Sequence, residues 1–173
     1  LNRFNLIFST YRFKEEEAQD EILDLLELFG DNDAVCEITE IRGILLASTR
    51  LDPLAVIEKL RQITASEPWQ VRYVLRALPV MQVVPTQIED ISRAAFELST
   101  SIEQNQSFRV TLEKRHTSLE SIEVVNAIAS GIERRVDLLN PDWIVLTQIL
   151  GAQTGLALVK PDQIFSSVVE KRK

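Results

Sequence analysis

The chain has 173 residues, 45% of them apolar, with 19 Lys and Arg against 26 Asp and Glu, one Cys and one His. That length and balance suit one globular domain or two small ones and exclude wholesale disorder. No apolar run is long enough to span a bilayer, no charged segment followed by an apolar one marks a secretory signal, and one Cys with one His exclude an internal disulfide and a zinc site of those ligands.

The elements follow in chain order. Phe4, Leu6 and Phe8 alternate with Asn5, Ile7 and Ser9, predicting a strand near 4–11. Glu15, Glu16 and Glu17 suit the positive end of a helix, Ile22, Leu25, Leu26 and Phe29 give it an apolar stripe, and Gly30 ends it. Residues 35–39 and 43–49 read as a hairpin. Asp52-Pro53 opens a second helix carrying Leu54, Ile57, Leu60 and Ile63. Val71, Tyr73 and Leu75 predict a strand opened by Trp69, which reads as a core or inter-domain anchor, as does Trp143. The order β-α-β-β-α-β is a ferredoxin-like split βαβ arrangement over residues 1–82.

A second α+β unit, 83–165, begins after a boundary near 81–86. Thr86 and Glu89 form a capping-box pattern ahead of Ile88, Ile91, Ala95, Leu98 and Ile102. Phe108, Val110 and Leu112 alternate with Arg109, Thr111 and Glu113, predicting a strand at 108–113. Thr117 and Glu120 form another capping box before the stripe Leu119, Ile122, Val125, Ile128, Ala129 and Ile132. Asn140-Pro141-Asp142 is a turn, and 143–150 with 156–159 read as a hairpin across Gly151. Residues 166–173, ending Lys171-Arg172-Lys173, read as a basic, mobile tail.

No Gly-rich phosphate loop and no GxSxG elbow is present. Cys36 reads as a buried thiol in a reducing compartment, and acidic pairs such as Asp20 with Asp24 or Glu89 with Asp90 read as hydrated surface. No catalytic constellation assembles, and no metal or cofactor is expected. The net charge of −7 opposes an anionic partner, yet residues 105–173 hold 9 basic and 8 acidic side chains while residues 1–104 hold 10 and 18. A polyanion would therefore dock on the C-terminal part. There, a strand end places Lys114, Arg115 and His116 beside a helix N-terminus, where free N–H groups and cations suit phosphate. The plainer alternative is a solvated basic turn. Arg134 and Arg135 close the following helix, where they suit its dipole. Lys160 lies in a loop after the last strand.

The segments FRVTLEKR (108–115), IEVVNAIASGIERR (122–135), VDLLNPDWIVLTQILG (136–151) and GLALVKP (155–161) together resemble a THUMP domain. THUMP domains commonly follow a ferredoxin-like domain, and the pair holds the tRNA acceptor stem and 3′ end. The resemblance implies a tRNA-binding, intracellular protein with an RNA surface of Lys114, Arg115, His116, Lys160, Arg109, Arg134 and Arg135. With no residues left over for a catalytic domain, it further implies a non-enzymatic adaptor, similar to the one that assists a tRNA cytidine acetyltransferase in forming N4-acetylcytidine. Two alternatives stay open: a tRNA-binding fragment of a larger methyltransferase, thiouridine synthetase or deaminase, and a protein-only interaction module.

Overall fold

The structure is a computed structural model describing residues 1–173. In chain order its first elements are β1 (Leu6–Ser9), α1 (Glu15–Leu28), β2 (Val35–Ile38), β3 (Ile44–Ser48), α2 (Pro53–Ser66) and β4 (Arg76–Pro79). There follow β5 (Gln82–Pro85), α3 (Ile88–Ser99), β6 (Ser107–Arg115), α4 (Ser121–Ser130), β7 (Arg135–Val136), β8 (Trp143–Leu150), β9 (Gln153–Val159), β10 (Phe165–Ser166) and α5 (Ser167–Lys171). The protein is thus α+β, with two five-stranded sheets. It divides into two compact units, Leu1–Val80 with Gln163–Lys173, and Met81–Asp162.

The first unit holds an antiparallel sheet of order β10-β4-β1-β3-β2. β1 is central, and Leu6, Ile7 and Phe8 are all buried, which is why its apolar run is continuous rather than strictly alternating. α1 and α2 pack Ile22, Leu26, Ile57 and Leu60 against Leu6, Phe8 and Leu45. The Asp52 carboxylate accepts the Leu54 N–H at 3.0 Å, and Pro53 follows where a missing donor costs nothing. In the β2–β3 turn Gly43 has φ +76°, and a Cβ there would lie 2.9 Å from the Thr10 carbonyl oxygen. Asp31, buried after α1, accepts hydrogen bonds from the Thr49 hydroxyl at 2.6 Å and from the Arg50 and Asp33 N–H groups at 3.0 Å. These donors, the Thr49 hydroxyl foremost, hold its carboxyl below the usual range.

Several expectations need correction here. The strand expected from Val71 begins only at Arg76, because the N–H groups of Arg72, Tyr73 and Val74 all bond the Glu21 carboxylate of α1 instead of a strand. Trp69 sits on a short 3-10 turn, Pro68–Gln70, and is 64% exposed rather than a core anchor. The C-terminal residues are not a loose basic tail. Phe165, fully buried, pairs with Ala77 in the sheet, and in α5 Glu170 takes ion pairs from Arg61 at 3.1 Å and Lys173 at 3.0 Å.

The second unit holds a sheet of order β5-β9-β8-β6-β7. β6 runs parallel to β7 and β8, and β9 runs antiparallel to β8 and β5. α3 and α4 cover one face, setting Ile91, Ala95, Val124 and Ile128 on Phe108, Val145, Ile149 and Leu156. β5 lies in what the sequence presents as a boundary segment between prolines. Its Val84 packs on the same core, and Pro85 sits on an edge strand, where a missing N–H is tolerated. Neither capping box forms. α3 starts after Gln87 and α4 after Glu120, both without a side-chain cap, while the Thr86 hydroxyl meets that of Thr154 at 2.9 Å. No helix is long and apolar enough to cross a membrane.

Candidate nucleic-acid interface

β6 decides where the basic side chains go. A strand alternates faces, so Phe108, Val110 and Leu112, which join the helix-covered core, put Lys114 on that side too. Arg109, Thr111, Glu113 and Arg115 take the other face. At the strand's end His116 adopts φ +56°, a left-handed turn that stops the pairing. Gly151, φ +66° in the two-residue turn between β8 and β9, donates its N–H to the Arg115 carbonyl at 2.9 Å, which fixes that end of the sheet.

Lys114 is exposed, and its ammonium donates to the Leu119 carbonyl at 2.8 Å. That carbonyl lies just ahead of α4, whose N-cap residue Glu120 makes no side-chain cap. The first-turn N–H groups of α4 therefore keep their donors available beside a fixed cation. Glu120 and Glu123 supply the opposing charge there. Arg115 is differently used. On the opposite face, it donates to the Gln148 side chain at 3.0 Å and pairs with Glu113 at 3.4 Å, and the Gln148 amide in turn donates to Glu113 at 3.2 Å.

The remaining residues lie at the other end of the sheet. Arg109 faces Ile144, Ile144 faces Val159, and Lys160 follows directly, whereas Lys114 faces Ile149 and Arg115 faces Leu150. About six residue steps, or roughly 20 Å, therefore separate the Lys160 level from that of Lys114. The single surface expected to unite Lys160 with Lys114 is therefore split between the two ends of the sheet, because β9 runs back and carries Lys160 away. Its ammonium lies 5.6 Å from the centroid of the Trp143 ring. Arg135 is not at a helix end but in β7, opposite Ser107, where its charge helps lower the Asp142 carboxyl below the usual range; the main cause there is the Ser107 N–H at 2.8 Å. Arg134 turns back to donate to the Ile102 and Glu133 carbonyls. α4 ends at Ser130, so neither arginine belongs to its last turn.

Two features escaped the sequence. Asp137 accepts the N–H groups of Leu139 and Asn140, shaping a loop that leaves Leu139 88% exposed. Arg109 braces that loop through the Leu138 carbonyl at 2.9 Å, beside a cleft lined by Asn140, Pro141, Ile144 and Pro161. No group of three or more His, Cys, Asp or Glu side chains is placed to hold a metal ion.

The fold defines a class: a two-unit α+β protein, each unit built on one five-stranded sheet, with basic side chains at both ends of the second sheet. No family model and no curated protein matches the sequence. Solved structures do match. PH1313 from Pyrococcus horikoshii Ot3 superposes with a TM-score of 0.71 at 18% identity, over 91% of this chain and 55% of that one. A 4-thiouridine synthetase–RNA complex with bound ATP gives 0.60 at 12% identity, over 95% and 42%. SMU.472, a candidate methyltransferase complexed with SAH, gives 0.54 at 14%, over 91% and 41%. At such identities the likeness is one of fold, and the chain spans about half the length of these structures or less. These matches overturn the expectation of a non-enzymatic protein, since this fold occurs as part of longer chains that include a synthetase and a candidate methyltransferase.

Proposed function

We propose that this chain is the tRNA-binding portion of a tRNA-modification enzyme acting inside the cell, and that its first unit is ferredoxin-like and its second THUMP-like. The observation that carries the reading is the match over nearly the whole chain to a 4-thiouridine synthetase solved with RNA. The strand order β4-β1-β3-β2, with helices joining β1 to β2 and β3 to β4, supports the ferredoxin-like assignment. This reading takes the place of an adaptor serving a cytidine acetyltransferase.

In it, Lys114 and the uncapped N-terminus of α4 receive one backbone phosphate, with His116 at the rim and Arg115 held on the opposite face by Gln148 and Glu113. Arg109, Arg134, Arg135 and Lys160 form a second contact at the other end of the sheet. RNA is held largely through backbone and shape, so two separated cationic points suffice to orient it. Ultraviolet cross-linking of the chain to unfractionated tRNA, followed by peptide mapping, tests this. Cross-links are expected within residues 108–123 and around 135–160. Cross-links confined to the first unit, or none with the fold intact, would overturn it.

A further inference from the structure

α1 carries seven carboxylates and no base: Glu15, Glu16, Glu17, Asp20, Glu21, Asp24 and Glu27. The helix dipole accounts for the first three, which lie in the first turn. It does not account for the rest, and Glu16–Asp20, Glu17–Glu21 and Asp20–Asp24 are like-charged pairs at i, i+4 that weaken a helix. None of the seven forms an ion pair within the chain; Glu21 alone is engaged in depth, through the N–H groups of residues 72–74.

Four of these carboxylates, Glu17, Asp20, Glu21 and Asp24, line one wall of a cleft of ≈ 340 Å³ whose other wall includes Trp69 and Tyr73. Two observations there point to a missing partner. Trp69 and Leu28, both lining the cleft, are 64% and 62% exposed, a large apolar pair left in water. The carboxylates of Glu17, Asp20 and Asp24 share the wall with no ion pair to neutralise them, and one oxygen of Glu17 has no donor within the chain. A metal ion does not fit, because no group of three carboxylates converges closely enough. Phosphate does not fit, because the four charged residues lining the cleft are all acidic, with Arg72 stacked on the Tyr73 ring beside them.

We propose that this cleft docks a Lys/Arg-rich segment of a partner protein carrying one large apolar side chain. That side chain lies on Trp69 and Leu28, and lysines or arginines meet the carboxylates of Glu17, Asp20 and Asp24 along the opposite wall. Exposed Trp beside charge of one sign is the composition of an interface anchor with a steering rim. The inference does not depend on RNA binding by the second unit.

The test titrates the whole chain with a synthetic Arg/Lys-rich peptide containing one Leu, followed by NMR. The Trp69 indole, assigned by Trp69→Phe, and the amides of residues 17–28 and 69–73 are expected to shift. The triple variant Glu17→Gln, Asp20→Asn, Asp24→Asn should weaken binding by at least about tenfold. A control with the same change in net charge on the same unit, Glu37→Gln, Glu40→Gln, Glu58→Gln, should weaken it less than about twofold, since none of those exposed residues lines the cleft. Equal weakening by both triples, shifts centred elsewhere, or no binding by the folded wild type would each overturn the proposal.

Discussion

Replacing Lys114 and Lys160 with Ala, singly and together, tests whether the two ends of the second sheet act as separate RNA contacts. The register puts the two levels about 20 Å apart, more than twice the screening length at physiological salt, so each should act independently. A lost phosphate contact lowers the slope of log affinity against log salt by about 0.7 to 0.9. Taken from 1 M to 0.15 M salt, that slope corresponds to about four- to sixfold weaker binding for each single variant and about 15- to 30-fold for the double. Lys114 is an exposed side chain, so its loss should change stability by no more than about 0.5 kcal/mol. Lys160 adds a cation–π contact with Trp143, and its loss should cost about 0.5–1 kcal/mol. Fluorescence anisotropy of labelled tRNA across a salt series, with thermal melts alongside, reads both quantities. Wild-type affinity and slope in Lys114→Ala would refute the phosphate site at α4. A double variant no weaker than either single would refute two separate ends.

Phe165→Ala should destabilise the protein by about 3–5 kcal/mol in urea unfolding, because the ring is fully buried against Ala77 and the helices; a neutral result would mean that the last residues are not part of the first unit. Asp31 has its carboxyl lowered in the folded state by the Thr49 hydroxyl and neighbouring N–H groups, so its stabilisation is present above the ordinary Asp range and disappears as pH falls through the lowered value. The stability gap between wild type and Asp31→Asn should therefore narrow on acidification from pH 7, and a constant gap would contradict the assignment. Cys36 is buried, and burial, with Glu37 beside it, pushes its thiol up to about 12. It should resist a thiol reagent at neutral pH until denaturant is added; rapid reaction of the native protein would show that the strand opens.

The parts of the fold visible in the sequence are those where local pattern and tertiary environment agree. The stripe Ile22, Leu25, Leu26 and the Asp52-Pro53 start give α1 and α2, and β2 and β3 lie within the two arms of the hairpin read at 35–39 and 43–49. Disagreement arises where a long-range partner decides. Residues 71–75 alternate like a strand, but Glu21, some fifty positions earlier, takes three of their N–H groups. Thr86 and Thr117 sit in capping-box spacing, yet Thr86 meets Thr154 across the sheet and Thr117 bonds the nearer Leu119 N–H at 3.2 Å. Residues 165–166 are too few for a period to show, and their pairing with β4 depends on a chain reversal no local signal carries.

The candidate site was legible as composition but not as arrangement. Lys114 beside a helix start is a local fact, and the structure adds the ammonium at the Leu119 carbonyl and the uncapped first turn. The position of Lys160 depends on which way β9 runs relative to β6, a topological matter. Arg115 was indistinguishable from Lys114 until the alternation of β6 set it on the other face with Gln148 and Glu113. The acidic run of α1 read as plain hydrated surface because nothing in sequence brings Trp69 beside it.

The central proposal is that this chain is the tRNA-binding portion of a modifying enzyme, gripping the 3′ end as the THUMP resemblance implies, and one titration addresses it most directly. Intact tRNA and the same tRNA shortened at its 3′ end are compared for binding to the whole chain at several salt concentrations. The account predicts tighter binding of intact tRNA, with both curves weakening as salt rises because phosphates are engaged. Equal affinity for the two RNAs, or binding that salt leaves unchanged, would contradict it.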